Sequence, residues 1–182
     1  APLSNLAVAL LLEPELPRLL KRVVIMGGAF TVAGNITPWA EFNVFVDPEA
    51  SSLVARSQLP ITFVGLDVTT QVRFPRQQWE RCRGLDHPEA RLISGVSSWA
   101  FEHRQLDSYA LHDPLAVAVA VYPDLIRCER TAVSVDTGLW STAGQTTMVR
   151  SNSAASEHLV ALEVDVHRFG ALFAGALGVP MV

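Results

Sequence analysis

The stretch VVIMGGAFTVAGNITPWAEFNVFVDPEA, residues 23–50, decides most of the fold. Val23–Met26 is a short, largely β-branched run closed by Gly27-Gly28, and it reads as a buried strand. From Ala29 to Ala40 the chain passes through Gly34-Asn35 and Pro38, which reads as a loop. Asn43–Val46 reads as a second short extended segment. Asp47-Pro48-Glu49 then opens a helix predicted to reach Arg56. Asp can accept bonds from the orphan N–H groups, Pro is pre-set for the first turn, and Glu favours the positive helix end.

Working outward, Ser4–Leu12 reads as a helix with Ser4 as N-cap, ending towards Pro14 and Pro17. Downstream, Ile61–Val68 reads as a buried strand, and Arg76–Cys82 and Glu89–Phe101 as helices. Asp113-Pro114 repeats the capping device ahead of Leu115–Tyr122. Ala132–Asp136, Thr146–Val149 and Ala161–Val166 read as strands of a more β-rich tail, with a final helix starting near Arg168. This alternation implies an α/β domain with an open, largely parallel sheet and helices on both faces. No repeat or linker interrupts the pattern, so residues 1–182 read as a single domain. In such sheets ligands bind beyond the carboxyl ends of the strands. Chemistry is therefore expected in the loops after Met26, Val68 and Ala110.

Composition narrows the function classes. The 182 residues carry 14 Lys and Arg against 18 Asp and Glu, a formal charge of −4. That balance argues against a nucleic-acid partner, which calls for a basic patch. Apolar residues make up 49% and charged residues 18%, which excludes a disordered chain. The longest apolar runs, Leu6–Leu12 and Leu115–Tyr122, fall far short of the ~18 residues of a membrane span. Leu6–Leu12 also lacks the basic flank and cleavage site of a signal peptide. Cys82 and Cys128 form no CxxC pattern and read as thiols of a reducing compartment, which favours a cytoplasmic location.

Two groups of residues are candidates for chemistry. In the loop after Val23–Met26, Asn35, Glu41 and Asn43 combine a carboxylate with two amides, and Trp39 and Phe42 flank them. Such a set can offer donors and acceptors to the vicinal hydroxyls of a sugar, with an aromatic wall for a ring. The same residues also suit an ordinary loop, with Asn35 at a turn and Glu41 exposed. The second group is His112-Asp113-Pro114, an imidazole beside a carboxylate, able to supply a general acid and a metal ligand. Capping of the following helix by Asp113 is the simpler account of that motif. His103, Arg104 and Tyr109 precede it and read either as a lid or as exposed helix positions. A GxSxG elbow, a Walker sequence, GxGxxG and HExxH are all missing from the sequence.

Taken together, PLSNLAVALLLEPEL, the 23–50 stretch, ITFVGLDVT and HDPLAVA resemble the inosine–uridine-preferring nucleoside hydrolases, from Pro2 to near Val166. The resemblance implies a Rossmann-like core and calcium-dependent hydrolysis of the N-glycosidic bond of ribonucleosides. Asn35, Glu41 and Asn43 would then hold ribose hydroxyls, Met26 would line the sugar site, and Phe42 would lie close to ribose and base. Asp113 would coordinate calcium, and His112 would protonate, or assist protonation of, the leaving base. The family's aspartate-rich DxDxxxDD segment does not occur here, so the resemblance implies an N-terminally truncated domain with an incomplete calcium site. Thr70 stands where the family often has His, and Ser4 where Thr is frequent. A homo-oligomer, or association with the missing segment, is the expected way to cover the exposed sheet. A catalytically inactive remnant that binds sugar weakly or serves in assembly is the alternative.

Overall fold

The computed structural model describes residues 1–139, 141–149 and 157–179. Five strands form one sheet in the order β1-β2-β7-β5-β6. These are β1 (Val23–Met26), β2 (Ile61–Val64), β5 (Ile126–Val135), β6 (Thr146–Val149) and β7 (His158–Val164). β1, β2 and β7 run parallel, while β5 pairs antiparallel with both β7 and β6. A separate antiparallel pair joins β3 (Arg73–Pro75) to β4 (Ser108–Ala110).

Both faces of the sheet are covered, because successive strand residues alternate between two cores. Ile25, Ile61, Phe63 and Val160 pack on one side with Ala7 of α1 (Ser4–Leu12) and Val54 of α4 (Pro48–Ala55). Met26, Val64 and Ala161 face the other side. There they meet Leu115 and Val119 of α8 (His112–Val121) and Phe169 of α9 (Val166–Ala176). The expected open α/β sheet is thus present, with the tail strands supplying an antiparallel extension.

Two expected strands are corrected. Asn43–Val46 is not extended: Phe42–Val46 is a short helix, α3, because the Glu41 carboxylate accepts the N–H groups of Asn43 and Val44 at its start. The run Ile61–Val68 leaves the sheet at Val64, and Leu66–Thr69 turns into helix α5. There the Leu66 N–H donates to the Gly28 carbonyl at 2.8 Å rather than to a ladder partner. The remaining helices are α2 (Leu16–Leu19), α6 (Arg76–Arg83) and α7 (Pro88–Ser98), and α7 runs on into a π-helical turn at Trp99–His103.

Ser4 is the first helical residue rather than the cap, and its hydroxyl donates to the Asp47 carboxylate. Asp47 also accepts the Ala50 N–H at 3.0 Å, so one side chain caps α4 and fastens α1 to it. The Ser4 hydroxyl, and then the Ala50 N–H, hold the Asp47 carboxyl below the ordinary aspartate value. A depressed carboxylate stabilises the fold above its unfolded pKa of about 3.9, and that contribution is lost as pH falls through the lower folded value. Ser4→Ala is expected to cost about 1 kcal/mol in urea unfolding at neutral pH. The loss should shrink below pH ~4, where Asp47 begins to protonate in both chains. A cost that does not change with pH would remove this contact from the account.

Candidate active site

β1 ends at the sheet edge and passes into Gly27-Gly28. Gly28 has φ +90°, and a Cβ there would lie 2.8 Å from the Phe30 ring, so the turn requires glycine. The Gly28 N–H donates to Glu41 Oε2 at 3.2 Å. Glu41 further accepts the Asn43 N–H at 2.9 Å and the Val44 N–H at 3.2 Å. At 2% exposure it is buried, not the exposed loop residue of the simpler sequence reading. Three backbone donors satisfy the buried carboxylate, which is what makes its burial tolerable.

The neighbouring amides join the same network. Asn43 Nδ2 donates to the Met26 carbonyl at 3.1 Å and lies 3.3 Å from Met26 Sδ. Asn35 Oδ1 accepts the Phe42 N–H at 2.9 Å. Met26, Asn35, Glu41, Phe42 and Asn43 are therefore linked in one loop–strand unit. Its remaining polar capacity is specific: the Asn35 amide N–H groups and the Asn43 carbonyl oxygen bond to no described residue. Phe42 and Trp39 are exposed beside them.

Two anchors hold this loop from a distance. Asp67, on α5, accepts the Phe30 and Thr31 N–H groups at 2.9 and 2.7 Å and the Thr31 hydroxyl at 2.6 Å. Thr146, on β6, accepts the Ala29 N–H and donates to the Ala29 carbonyl, both at 2.9 Å. The sequence reading missed both residues. The string Gly65-Leu66-Asp67-Val68-Thr69 held a signal for Asp67, the one charged residue in a run otherwise of apolar residues, Gly and Thr. Thr146 carried no local signal.

His112 and Asp113 sit in the first turn of α8. The expectation that Asp113 caps this helix is corrected: α8 begins at His112, Leu111 precedes it, and no side chain caps it. Asp113 is exposed, is hydrogen-bonded to no described residue, and lines an open groove of about 810 Å³ with Met26, Val24 and Ala116. A carboxylate there also complements the positive end of the helix. His112 is half-buried, with Nδ1 2.7 Å from the Thr69 hydroxyl. Burial pushes its imidazole below the ordinary value, Asp113 opposes that shift, and the Arg73 guanidinium reinforces it.

The lid expectation divides. Tyr109 is packed into the core, 5.5 Å from Phe101 and 5.9 Å from Phe74 between ring centroids, with its hydroxyl 2.6 Å from Ser97 Oγ. His103 and Arg104 are exposed, and Arg104 lies over the Trp99 ring at 5.4 Å. Thr70 donates back to the Leu66 carbonyl at 2.8 Å.

For calcium, the donor set is thin. No group of three or more His, Cys, Asp or Glu side chains converges among the described residues. Calcium takes 6–8 oxygen ligands, so Asp113 with its neighbour His112 does not make a calcium site.

The pattern of the inosine-uridine preferring nucleoside hydrolases matches residues 1–171, and the chain belongs to that family. It is 36% identical over 174 residues to the pyrimidine-specific ribonucleoside hydrolase RihA of Enterobacter sp. (strain 638), covering 93% of this chain and 55% of that protein. Among solved structures it is similar to a plant nucleoside hydrolase, the PpNRh1 enzyme. The TM-score is 0.89 at 30% identity, over 99% of this chain and 60% of that one. A purine-preferring ribonucleoside hydrolase from Gardnerella vaginalis gives a TM-score of 0.88 at 35% identity, over 97% and 58%. The chain thus spans rather more than half the length of these relatives.

Glu41→Ala leaves three backbone N–H groups without an acceptor and is expected to cost about 3 kcal/mol in urea unfolding. Asn43→Ala, whose amide donates to one carbonyl, is expected to cost about 1 kcal/mol. Equal costs would show that the Glu41 carboxylate does not organise the loop.

Proposed function

We propose that this chain acts on ribonucleosides, hydrolysing the N-glycosidic bond to give ribose and the free base. The reading is supported by one observation: Met26, at the end of β1, accepts a hydrogen bond from Asn43 of the polar loop and lines the groove that Asp113 also lines. Asn35 and Asn43, through their uncommitted amide groups, and Glu41, through its remaining lone pair, hold ribose hydroxyls. Met26 lines the sugar and Phe42 lies beside ribose and base. As the bond breaks, its electron pair leaves with the base and the ribose gains oxocarbenium character, while water supplies the hydroxyl to C1′ and its remaining proton passes through solvent to the departed base. His112 acts at the departing base, where a donor lowers the barrier. Asp113 is the proposed calcium ligand, but with one carboxylate in place no step is assigned to the metal. The relatives' names differ in base and agree on the ribonucleoside, so the proposal rests on the sugar.

The single carboxylate at the groove favours a second reading, sugar binding or assembly without turnover. Calorimetry with ribose, together with release of reducing sugar from inosine and uridine, separates the two. Hydrolysis is expected, with Asn43→Ala weakening ribose binding at least ~10-fold, the loss of about 1.4 kcal/mol expected for a hydrogen bond. Ribose binding without sugar release selects the second reading, and neither activity overturns both.

A cytoplasmic location is inferred from the free thiols Cys82 and Cys128, and no helix among the described residues is long and apolar enough to cross a membrane. Self-association is inferred from the exposed Val117 and Val121 of α8, beside the free edge of β1. Sedimentation at micromolar concentration should show an oligomer, and a clean monomer would remove that inference.

A further inference from the structure

Thr69 ends α5 and is fully buried, at 0% exposure. Its hydroxyl has one partner among the described residues, Nδ1 of His112 at 2.7 Å. The neighbouring Thr70 shows the usual helical habit, donating its hydroxyl to the carbonyl four residues back. Thr69 does not. The carbonyl it would use, that of Gly65, instead accepts the Val68 and Thr69 N–H groups at 3.3 and 3.1 Å.

A neutral imidazole has one donor nitrogen and one acceptor nitrogen. If Nδ1 carried the proton, it would donate to Thr69 and leave the buried hydroxyl proton with no acceptor. If Thr69 donates to Nδ1, every buried group in the pair is satisfied, and the ring proton must then sit on Nε2. His112 Nε2 bonds to no described residue. The buried side-chain atom left without a partner among those residues is Nδ1 of His158, so Nε2 of His112 is open to solvent.

We infer that Thr69 is a positioning residue that fixes the neutral His112 ring with its proton on Nε2, the nitrogen that a ligand can reach. The inference rests on the nucleoside-hydrolase reading for its purpose. His112 then presents an N–H to the departing base as a hydrogen-bond donor, stabilising the negative charge that develops there while the proton stays on the ring. Thr69 lies outside the His-Asp-Pro motif and touches no ligand itself.

The test uses the 182-residue chain labelled with ¹⁵N-histidine, at a pH well above the ordinary histidine value of about 6.5. Long-range ¹H–¹⁵N correlation reports which ring nitrogen of His112 is protonated. The expected result is Nε2–H alone. Thr69→Val, which keeps the shape and removes the hydroxyl, should reduce that bias at least ~10-fold, the loss of a hydrogen bond of about 1.4 kcal/mol. Thr69→Ser should restore it. A proton on Nδ1 in the parent chain, or an unchanged ratio in Thr69→Val, overturns the inference. The parent spectrum decides even if the valine variant does not fold. In turnover, Thr69→Val should lower kcat ~10-fold with KM within about twofold, the pattern of an interaction made in the transition state. Absence of turnover in the parent chain counts against the hydrolase reading alone, and the tautomer still decides this one.

Discussion

The loop after β1 and the start of α8 have no regular hydrogen-bonded ladder between them; what fixes their separation is the buried turn Leu66–Thr69. Its first N–H donates to the Gly28 carbonyl, its Asp67 carboxylate holds Phe30 and Thr31, and its Thr69 hydroxyl meets His112. All four residues are buried, so each polar group must find a partner inside the protein. Bonds to a carboxylate contribute about 1.5–3 kcal/mol each, and leaving a buried donor or acceptor unmade costs about 1–3 kcal/mol. Neither the loop nor α8 can therefore drift without breaking a bond to α5. The distance between the loop amides and the imidazole is set by a buried turn at the end of a central strand.

Legibility in the sequence followed how local the causes were. Ser4–Leu12, Val23–Met26 and Thr146–Val149 are bounded by changes of residue type that lie within a few positions, and the structure keeps those limits. Phe42–Val46 is rich in residues that favour strands, and its helical turn is imposed by Glu41, a residue type not among the preferred caps. Asp47 and Asp113 share the Asp-Pro string, yet only Asp47 caps, because α8 starts one residue before its aspartate. Sequence pattern cannot register that single-residue shift. Of the residues picked out by type, Met26, Asn35, Glu41, Phe42 and Asn43 are joined by hydrogen bonds, none of which reaches His112 or Asp113, and the supports of both groups were not readable. Asp67 lies 36 residues from Thr31, Thr69 43 from His112, and Thr146 117 from Ala29.

Glu41 illustrates why a residue's chemistry and its burial must be read together. As a carboxylate in a polar loop it suggests a free acceptor for hydroxyls. Its position instead commits most of its lone pairs to backbone N–H groups, and the uncommitted polar groups of the loop belong chiefly to the amides beside it. A loss of activity on replacing Glu41 would therefore mix binding with collapse of the loop. The side chains of Asn35 and Asn43 each hold fewer backbone groups, so replacing them disturbs the loop less.

Charges of both signs surround the cleft, because Lys21 and Arg22 line the same groove as Asp113. Asp113 and Glu41 are acidic, and the polar groups left over in the loop are neutral amides. Arg73, the cation that acts on His112, is committed to the Ser108 hydroxyl at 2.8 Å and the Ser108 carbonyl at 3.0 Å. With Asp113 in its first turn, α8 presents to the groove a helix end whose attraction for anions is offset by a carboxylate.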